Sequence, residues 1–349
     1  MKSLDSNIIS NNASGREAII QLDRAKIGSK ALFIVDENGK LLGTLTDGDI
    51  RRGLIAGKDI DASVENFINR NFRYLYESQL TLSDLNALRE IKIVLVPVLD
   101  QSKKLIKILD LNDRKAILPV DAIIMAGGRG ERLKPLTDAV PKPMLKVGDK
   151  PIIEHNLDRL IYFGIENITI SIKYLGEQLK AAFGNGEEKG IHIQYITEEQ
   201  PLGTIGAVSM IDGFKNDHVL IMNSDLLTNI DFEDFFQTYQ EQNADIAIAT
   251  VPYKVDIPYA VLEVENSRIK DFKEKPSYTY YSNAGIYLIK REFLRLIPKG
   301  AHYNATDLME LLLKNGHNVV SYPILGYWLD IGKHEDFLKA QVDIKHIQF

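Results

Sequence analysis

The chain has 349 residues, a net charge of −6 and no cysteine, which excludes disulfides, thiolate catalysis and cysteine-ligated zinc. Its mildly acidic balance leaves no electrostatic footprint for nucleic acid, and no apolar run approaches a membrane span. Met1-Lys-Ser-Leu-Asp-Ser6 lacks the apolar core of a secretory signal, so the expectation is a cytoplasmic protein of two domains with no membrane partner.

Ala31-Leu-Phe-Ile-Val35 predicts a strand, Asp36-Glu-Asn-Gly39 a turn, and Lys40 to Thr46 a second strand. Asp47-Gly-Asp49 then opens a helix through Arg52. A shift of 64 positions lays Val96-Pro-Val-Leu-Asp100 on Leu32 to Asp36, Lys104-Leu105 on Lys40-Leu41 and Asp113 on Asp49. Residues 1–116 therefore hold a duplicated hairpin-and-helix unit, divided at about 1–64 and 65–116. The copies resemble a tandem pair of CBS domains, small α+β regulatory modules. The resemblance implies that Thr46 and Asp49, within Gly43-Thr-Leu-Thr-Asp-Gly-Asp49, contact the ribose and phosphate of an adenine nucleotide. In the second copy Asp110 stands where the threonine belongs. The same two side chains also suit a helix cap. CBS pairs commonly associate, so assembly of a homo-oligomer is the other reading of this module. Residues 117–120, around Pro119, read as the linker to a second domain at 121–349.

That domain opens with Ala122-Ile-Ile-Met-Ala126, an apolar run typical of a buried parallel strand. Gly127, Gly128 and Gly130 follow Ala126, and Arg129, Arg132, Lys134 and Lys142 lie in the same loop. Glycines let backbone N–H groups turn toward an anion, so a nucleotide phosphate site is expected here. It is neither a dinucleotide fingerprint, since Leu133 replaces the third glycine, nor a Walker loop. A helix is predicted over 151–163 with Gly164 as its cap, a strand over 167–172, a helix over 175–183 and a strand over 191–197. The alternation predicts a Rossmann-like α/β fold, a doubly wound and mainly parallel sheet with ligands at the carboxyl ends of its strands.

Four further motifs fall at such ends. Glu198-Glu-Gln-Pro-Leu-Gly-Thr204 leads into a helix that Gly203 and Thr204 are expected to begin. Val219 to Met222 is an apolar strand running out at Asp225, a carboxylate placed to hold a hard cation near phosphates. Lys273-Glu-Lys-Pro276 with Ser282-Asn-Ala-Gly-Ile-Tyr287 comes next, then Tyr327-Trp-Leu-Asp-Ile-Gly332.

The string Gly127-Gly-x-Gly-x-Arg-Leu-x-Pro-Leu-Thr137, with Pro141-Lys-Pro143 and these four motifs in order, resembles the sugar-1-phosphate nucleotidyltransferases over about residues 120–340. The resemblance implies that an NTP and a sugar-1-phosphate give an NDP-sugar and pyrophosphate. It implies that Ala126 to Gly130 cradle the nucleotide, that Arg132 stabilises departing pyrophosphate, and that Lys142 and Lys275 hold the reacting phosphates. It further implies Mg2+ on Asp225 and Asp330, a loop with Glu198, Gly203 and Thr204 that reads the nucleobase and lies against the sugar, and sugar contacts from Glu274 and Asn283. Tyr259-Ala-Val261 departs from the family's Tyr-Gly-Val, and the added methyl would narrow the sugar pocket. Related thymidylyltransferases carry glutamine at the position of Glu198. A carboxylate there suits guanine, whose N1–H and N2 amino group form a paired donor; Glu199 or backbone groups reading the base are the alternatives. An inactive nucleotide-sugar sensor and a cytidylyltransferase for a lipid or polyol phosphate are the competing classes. The presence of Arg132 and Asp225 argues against the first, and the two sugar motifs against the second. A CBS pair ahead of this domain resembles the glucosamine-1-phosphate guanylyltransferases of legionaminic acid synthesis, with mannose-1-phosphate and heptose-1-phosphate enzymes as runners-up.

Overall fold

The computed structural model describes residues 4–24, 30–77 and 82–347. The chain divides into two compact units, the first made mainly of the residues up to Leu118 and the second beginning at Pro119.

In the first unit β1 (Ile8–Ser10) is followed by α1 (Gly15–Arg24) and lies parallel to β2 (Ala31–Val35). β2 pairs antiparallel with β3 (Leu41–Thr46), which runs directly into α2 (Asp47–Ile55). The same topology returns in β4 (Leu75–Tyr76), α3 (Leu82–Glu90), β5 (Leu95–Leu99) and β6 (Leu105–Asp110). The two copies meet about a local twofold. Lys40 bridges to Lys104, its counterpart 64 positions on. Leu41 N–H donates to the Lys103 carbonyl at 3.1 Å and Leu105 N–H to the Gly39 carbonyl at 3.0 Å, each bond the image of the other. Ala31, Val35 and Leu41 pack in one cluster with their images Leu95, Leu99 and Leu105. The first copy's own core takes in Val64 and Phe67, and Thr44 and Asn69 exchange two backbone hydrogen bonds. That copy therefore extends past residue 64.

The second unit begins with β7 (Val120–Ala126), a small hairpin of β8 (Lys146–Val147) and β9 (Lys150–Pro151), and α4 (Ile152–Tyr162). β10 (Asn167–Ile172), α5 (Gly176–Phe183), β11 (His192–Thr197) and β12 (His218–Asn223) follow. Then come β13 (Leu226–Thr228), α6 (Phe232–Glu241), β14 (Ile246–Asp256), β15 (Val261–Glu265), β16 (Arg268–Lys273) and β17 (Ser277–Lys290). The chain closes with α7 (Ala305–Lys314), β18 (Val319–Pro323), β19 (Trp328–Asp330) and α8 (His334–Asp343). Seven strands form one sheet in the order β11-β10-β7-β12-β17-β14-β18. The first four are mutually parallel, β17 is antiparallel to both its neighbours, and β18 is parallel to β14. β7 is interior and buried along nearly its whole length, which is why its sequence is an unbroken apolar run rather than an alternation. α4 buries Ile152, Ile153, Leu157 and Leu160, one face of a 3.6-residue period.

The predicted mainly parallel α/β sheet is present, with differences at element ends. Pro151 belongs to β9, and α5 starts at Gly176 because Leu175 is left-handed at φ +52°. Gly203 and Thr204 do not begin a helix. Gly203 has φ +77°, incompatible with a right-handed turn, and a short 3-10 helix starts only at Gly206. No helix among the described residues is long and apolar enough to cross a membrane.

Candidate active site

The carboxyl ends of β7, β10, β11 and β12 open on a cleft of about 780 Å3. Gly127 follows β7 closely against Glu198: a Cβ there would lie 2.5 Å from Glu198 Oε1. Beside Gly128 a Cβ would meet no protein atom within 4 Å, so this backbone faces the open cleft. Gly130 is left-handed at φ +65°, a conformation that a side chain would strain. The buried Thr137 holds this bend, its Oγ1 donating to the Gly130 carbonyl at 2.9 Å. Arg132 stands on a single 3-10 turn, Glu131–Leu133, whose Leu133 is fully buried. The arginine is thus exposed on the cleft while its neighbour anchors the turn.

Lys142 reaches 83 residues along the chain to ion-pair with Asp225 Oδ2, and its Nζ lies 4.0 Å from Asp330 Oδ1. The two carboxylates are neighbours through the antiparallel β13–β19 pair, where Leu226 stands opposite Asp330. Loss of surrounding water and then the Asp225 charge push the Asp330 carboxyl above its ordinary range, against the opposing pull of Lys142. Asp225 Oδ1 is buried without a hydrogen-bond partner among the described residues, an arrangement that costs free energy unless a cation completes it.

Glu198 is 7% exposed yet lines the cleft. Its Oε1 accepts from Ser171 Oγ, and its Oε2 accepts from Leu202 N at 3.3 Å. A carboxylate offers about four lone-pair sites, and these two bonds use two of them while holding the group in one orientation. Glu199, the alternative reader, points to solvent outside the cleft lining. Gly203 and Thr204 line the cleft in a turn stitched to the start of α7 and the residues leading into it. Tyr303 N–H donates to the Leu202 carbonyl at 2.9 Å, and Ala305 N–H donates to Thr204 Oγ1 at 2.8 Å.

The family profile for nucleotidyl transferases matches residues 121–346. The chain belongs to this family. A CBS domain profile matches residues 5–56. Over 233 residues this transferase is 34% identical to the mannose-1-phosphate guanylyltransferase of Mycobacterium tuberculosis, covering 64% of each chain. Over 234 residues it is 30% identical to the D-glycero-alpha-D-manno-heptose 1-phosphate guanylyltransferase of Aneurinibacillus thermoaerophilus, covering 65% of this chain and 99% of that one. The chain thus spans less than two thirds of the length of the first relative and nearly all of the second. A Bacillus anthracis structure described as a glucose-1-phosphate thymidylyltransferase superposes with a TM-score of 0.54 at 26% identity, covering 66% of this chain and 97% of that one.

Several motif residues of the transferase lie off the cleft lining. Ala126 is the buried end of β7. Asp330 lies beside Lys142 without itself lining the cleft. Glu274 and Lys275 occupy the exposed turn between β16 and β17, beside a β15–β16 hairpin exposed along nearly its whole length. Asn283 spends its amide on its own strand, donating to Tyr287 OH at 2.8 Å and accepting from Gly285 N at 2.9 Å. Gly285 is required there, since a Cβ would lie 2.5 Å from Asn223 Nδ2. In the first unit Thr46 and Asp49 form a reciprocal capping box on α2, and Arg52 Nη2 pairs with Asp49 Oδ1 at 2.6 Å. The structure also adds residues to the cleft that motif reading missed, namely Lys173 and His302 on its lining and Ser171 behind Glu198. A lone lysine after a strand and a lone histidine in a loop carry no local signal.

Proposed function

We propose that this nucleotidyl transferase is a sugar-1-phosphate guanylyltransferase, converting GTP and a sugar-1-phosphate to a GDP-sugar and pyrophosphate. The observation that carries the reading is one cleft lined both by a glycine loop with Arg132 and Lys142 and by the buried, oriented Glu198. A phosphate oxygen of the sugar-1-phosphate attacks the α-phosphorus. The bond from α-phosphorus to the bridging oxygen breaks, and pyrophosphate leaves with the electron pair. Such a transfer needs alignment and charge stabilisation rather than a protein nucleophile. Backbone N–H groups at Gly128 to Gly130 receive the phosphates, Arg132 meets the charge growing on pyrophosphate, and Lys142 lies where the α-phosphate and the attacking phosphate converge. The unpaired Asp225 Oδ1 and the neighbouring Asp330 suit a magnesium ion, which would neutralise phosphate charge when bound. Glu198 accepts from N1–H and N2 of guanine. Uracil and thymine offer one such donor, while adenine and cytosine present a lone pair there.

The best candidate for the sugar is glucosamine-1-phosphate, on the resemblance of the fused CBS pair; mannose- and heptose-1-phosphate are supported by the names of the relatives. The N-terminal pair is the regulatory or assembly device, binding an adenine nucleotide or pairing subunits. Pyrophosphate release from the purified full chain, with each sugar phosphate against each NTP and Mg2+, tests the reading. Release with GTP above all other NTPs supports it. No release with any sugar phosphate, or equal kcat/KM for GTP and UTP, overturns it.

A further inference from the structure

Resting on the guanylyltransferase reading, we infer that Lys173 is a second base-reading residue, donating to guanine O6 while Glu198 accepts from N1–H and N2. Lys173 directly follows β10, and the sheet register fixes its neighbours. Ile172 stands opposite Ala126 on one side and Thr197 on the other. One step on, Lys173 falls between Gly127 and Glu198, the two residues whose close approach forms the base end of the cleft. Ser171 Oγ bonds the Glu198 carboxylate and Glu198 N–H donates to the Ile172 carbonyl at 2.9 Å, so the next residue, Lys173, enters the cleft lining beside Glu198. It is half-buried and lines the cleft. Lys142 has its charge met by Asp225, whereas Lys173 enters no ion pair among the described residues. The phosphate cations Arg129, Arg132 and Lys142 all belong to the glycine loop and the turn after it, not to this strand end.

Chemistry makes the pair complementary to guanine. Along that edge guanine presents the acceptor O6 beside the donors N1–H and N2. A carboxylate with a cation at its side matches acceptor and donors in sequence. Adenine and cytosine put an amino group where O6 would be, so an ammonium would face a donor. Lysine offers three N–H donors and no acceptor.

The test is calorimetric titration of the full chain with GTP and with 6-thio-GTP, without sugar phosphate. The analogue keeps N1–H and N2 for Glu198 but replaces O6 with a weakly accepting sulfur. The wild type should prefer GTP by about tenfold, the scale of one charge-assisted hydrogen bond. Lys173→Met should bring the ratio close to one by weakening GTP alone, and Lys173→Arg should restore it. Equal loss of both ligands in Lys173→Met, the signature of a phosphate contact or of structural damage, overturns the inference, as does an unchanged ratio. Those results leave GTP binding by the wild type intact, so the guanylyltransferase reading survives them. A wild type that binds no GTP removes that reading and this inference together.

Discussion

At the scale of single residues, the strongest geometry is that of groups held in place before a ligand arrives. Asp225 carries a buried oxygen without a partner among the described residues and an ion pair to Lys142, and Arg132 is presented by a turn whose apolar residue is locked in the core. Asp225→Ala and Arg132→Ala are each expected to lower turnover at least about a hundredfold, the scale of losing one strong electrostatic contact in the transition state. Steady-state kinetics in magnesium checks this, and near-normal turnover of Asp225→Ala would remove the metal assignment. Glu198 should control base choice rather than rate. Glu198→Gln is expected to cut the GTP-to-UTP ratio of kcat/KM by about tenfold or more. Ser171→Ala, which frees the carboxylate from its buried anchor, should erode the same ratio with less effect on UTP itself. A Ser171→Ala enzyme that loses GTP and UTP turnover equally would make Ser171 a packing residue only.

At the scale of elements, the far side of the sheet has its own tie. Asp245 lies just before β14, and its carboxylate bonds Lys290 Nζ at the end of β17 at 2.6 Å and Asn318 N before β18 at 3.0 Å. It also reaches His317 Nδ1 at 3.2 Å. Three adjacent strands are thereby pinned at one end. Burial pulls the Asp245 carboxyl upward, but Lys290, the Asn318 amide and His317 outweigh it and hold the group below its ordinary range. A carboxylate depressed in the folded state adds stability that is present above its unfolded value of about 3.9 and lost as pH falls through the folded value. Asp245→Asn should therefore destabilise by about 1–2 kcal/mol at neutral pH. The gap from wild type should shrink below about pH 4. Denaturant unfolding at several pH values measures it, and a gap constant with pH would mean packing rather than charge.

At the scale of the whole molecule, the chain forms two compact units. In the first, backbone pairing at Lys40 and Lys104 joins two images of one unit, and the Thr46–Asp49 capping box already has a structural task. Millimolar AMP or ATP is expected to raise the melting temperature and to give binding heat that persists in Asp225→Ala, because Thr46 and Asp49 lie outside the cleft lining. Absence of both effects would leave the module only the role of assembling subunits. The sequence alone determined the strand-and-helix alternation, the glycine loop and the repeat of 64 residues, because period, glycine freedom and capping chemistry act between residues a few positions apart. It also marked Asp225, which follows an apolar run, and, through the family resemblance, Glu198. Only the tertiary structure decided which strand ends are neighbours. Sheet order brings Lys173 beside Glu198, Ser171 behind it, and Lys142 onto Asp225. It also sets Glu274 and Lys275 on an exposed turn and commits Asn283 to its own strand. Contacts between residues distant in sequence depend on how strands stack and in what register. No local pattern encodes that, because the free energy choosing it comes from burying all the apolar faces at once.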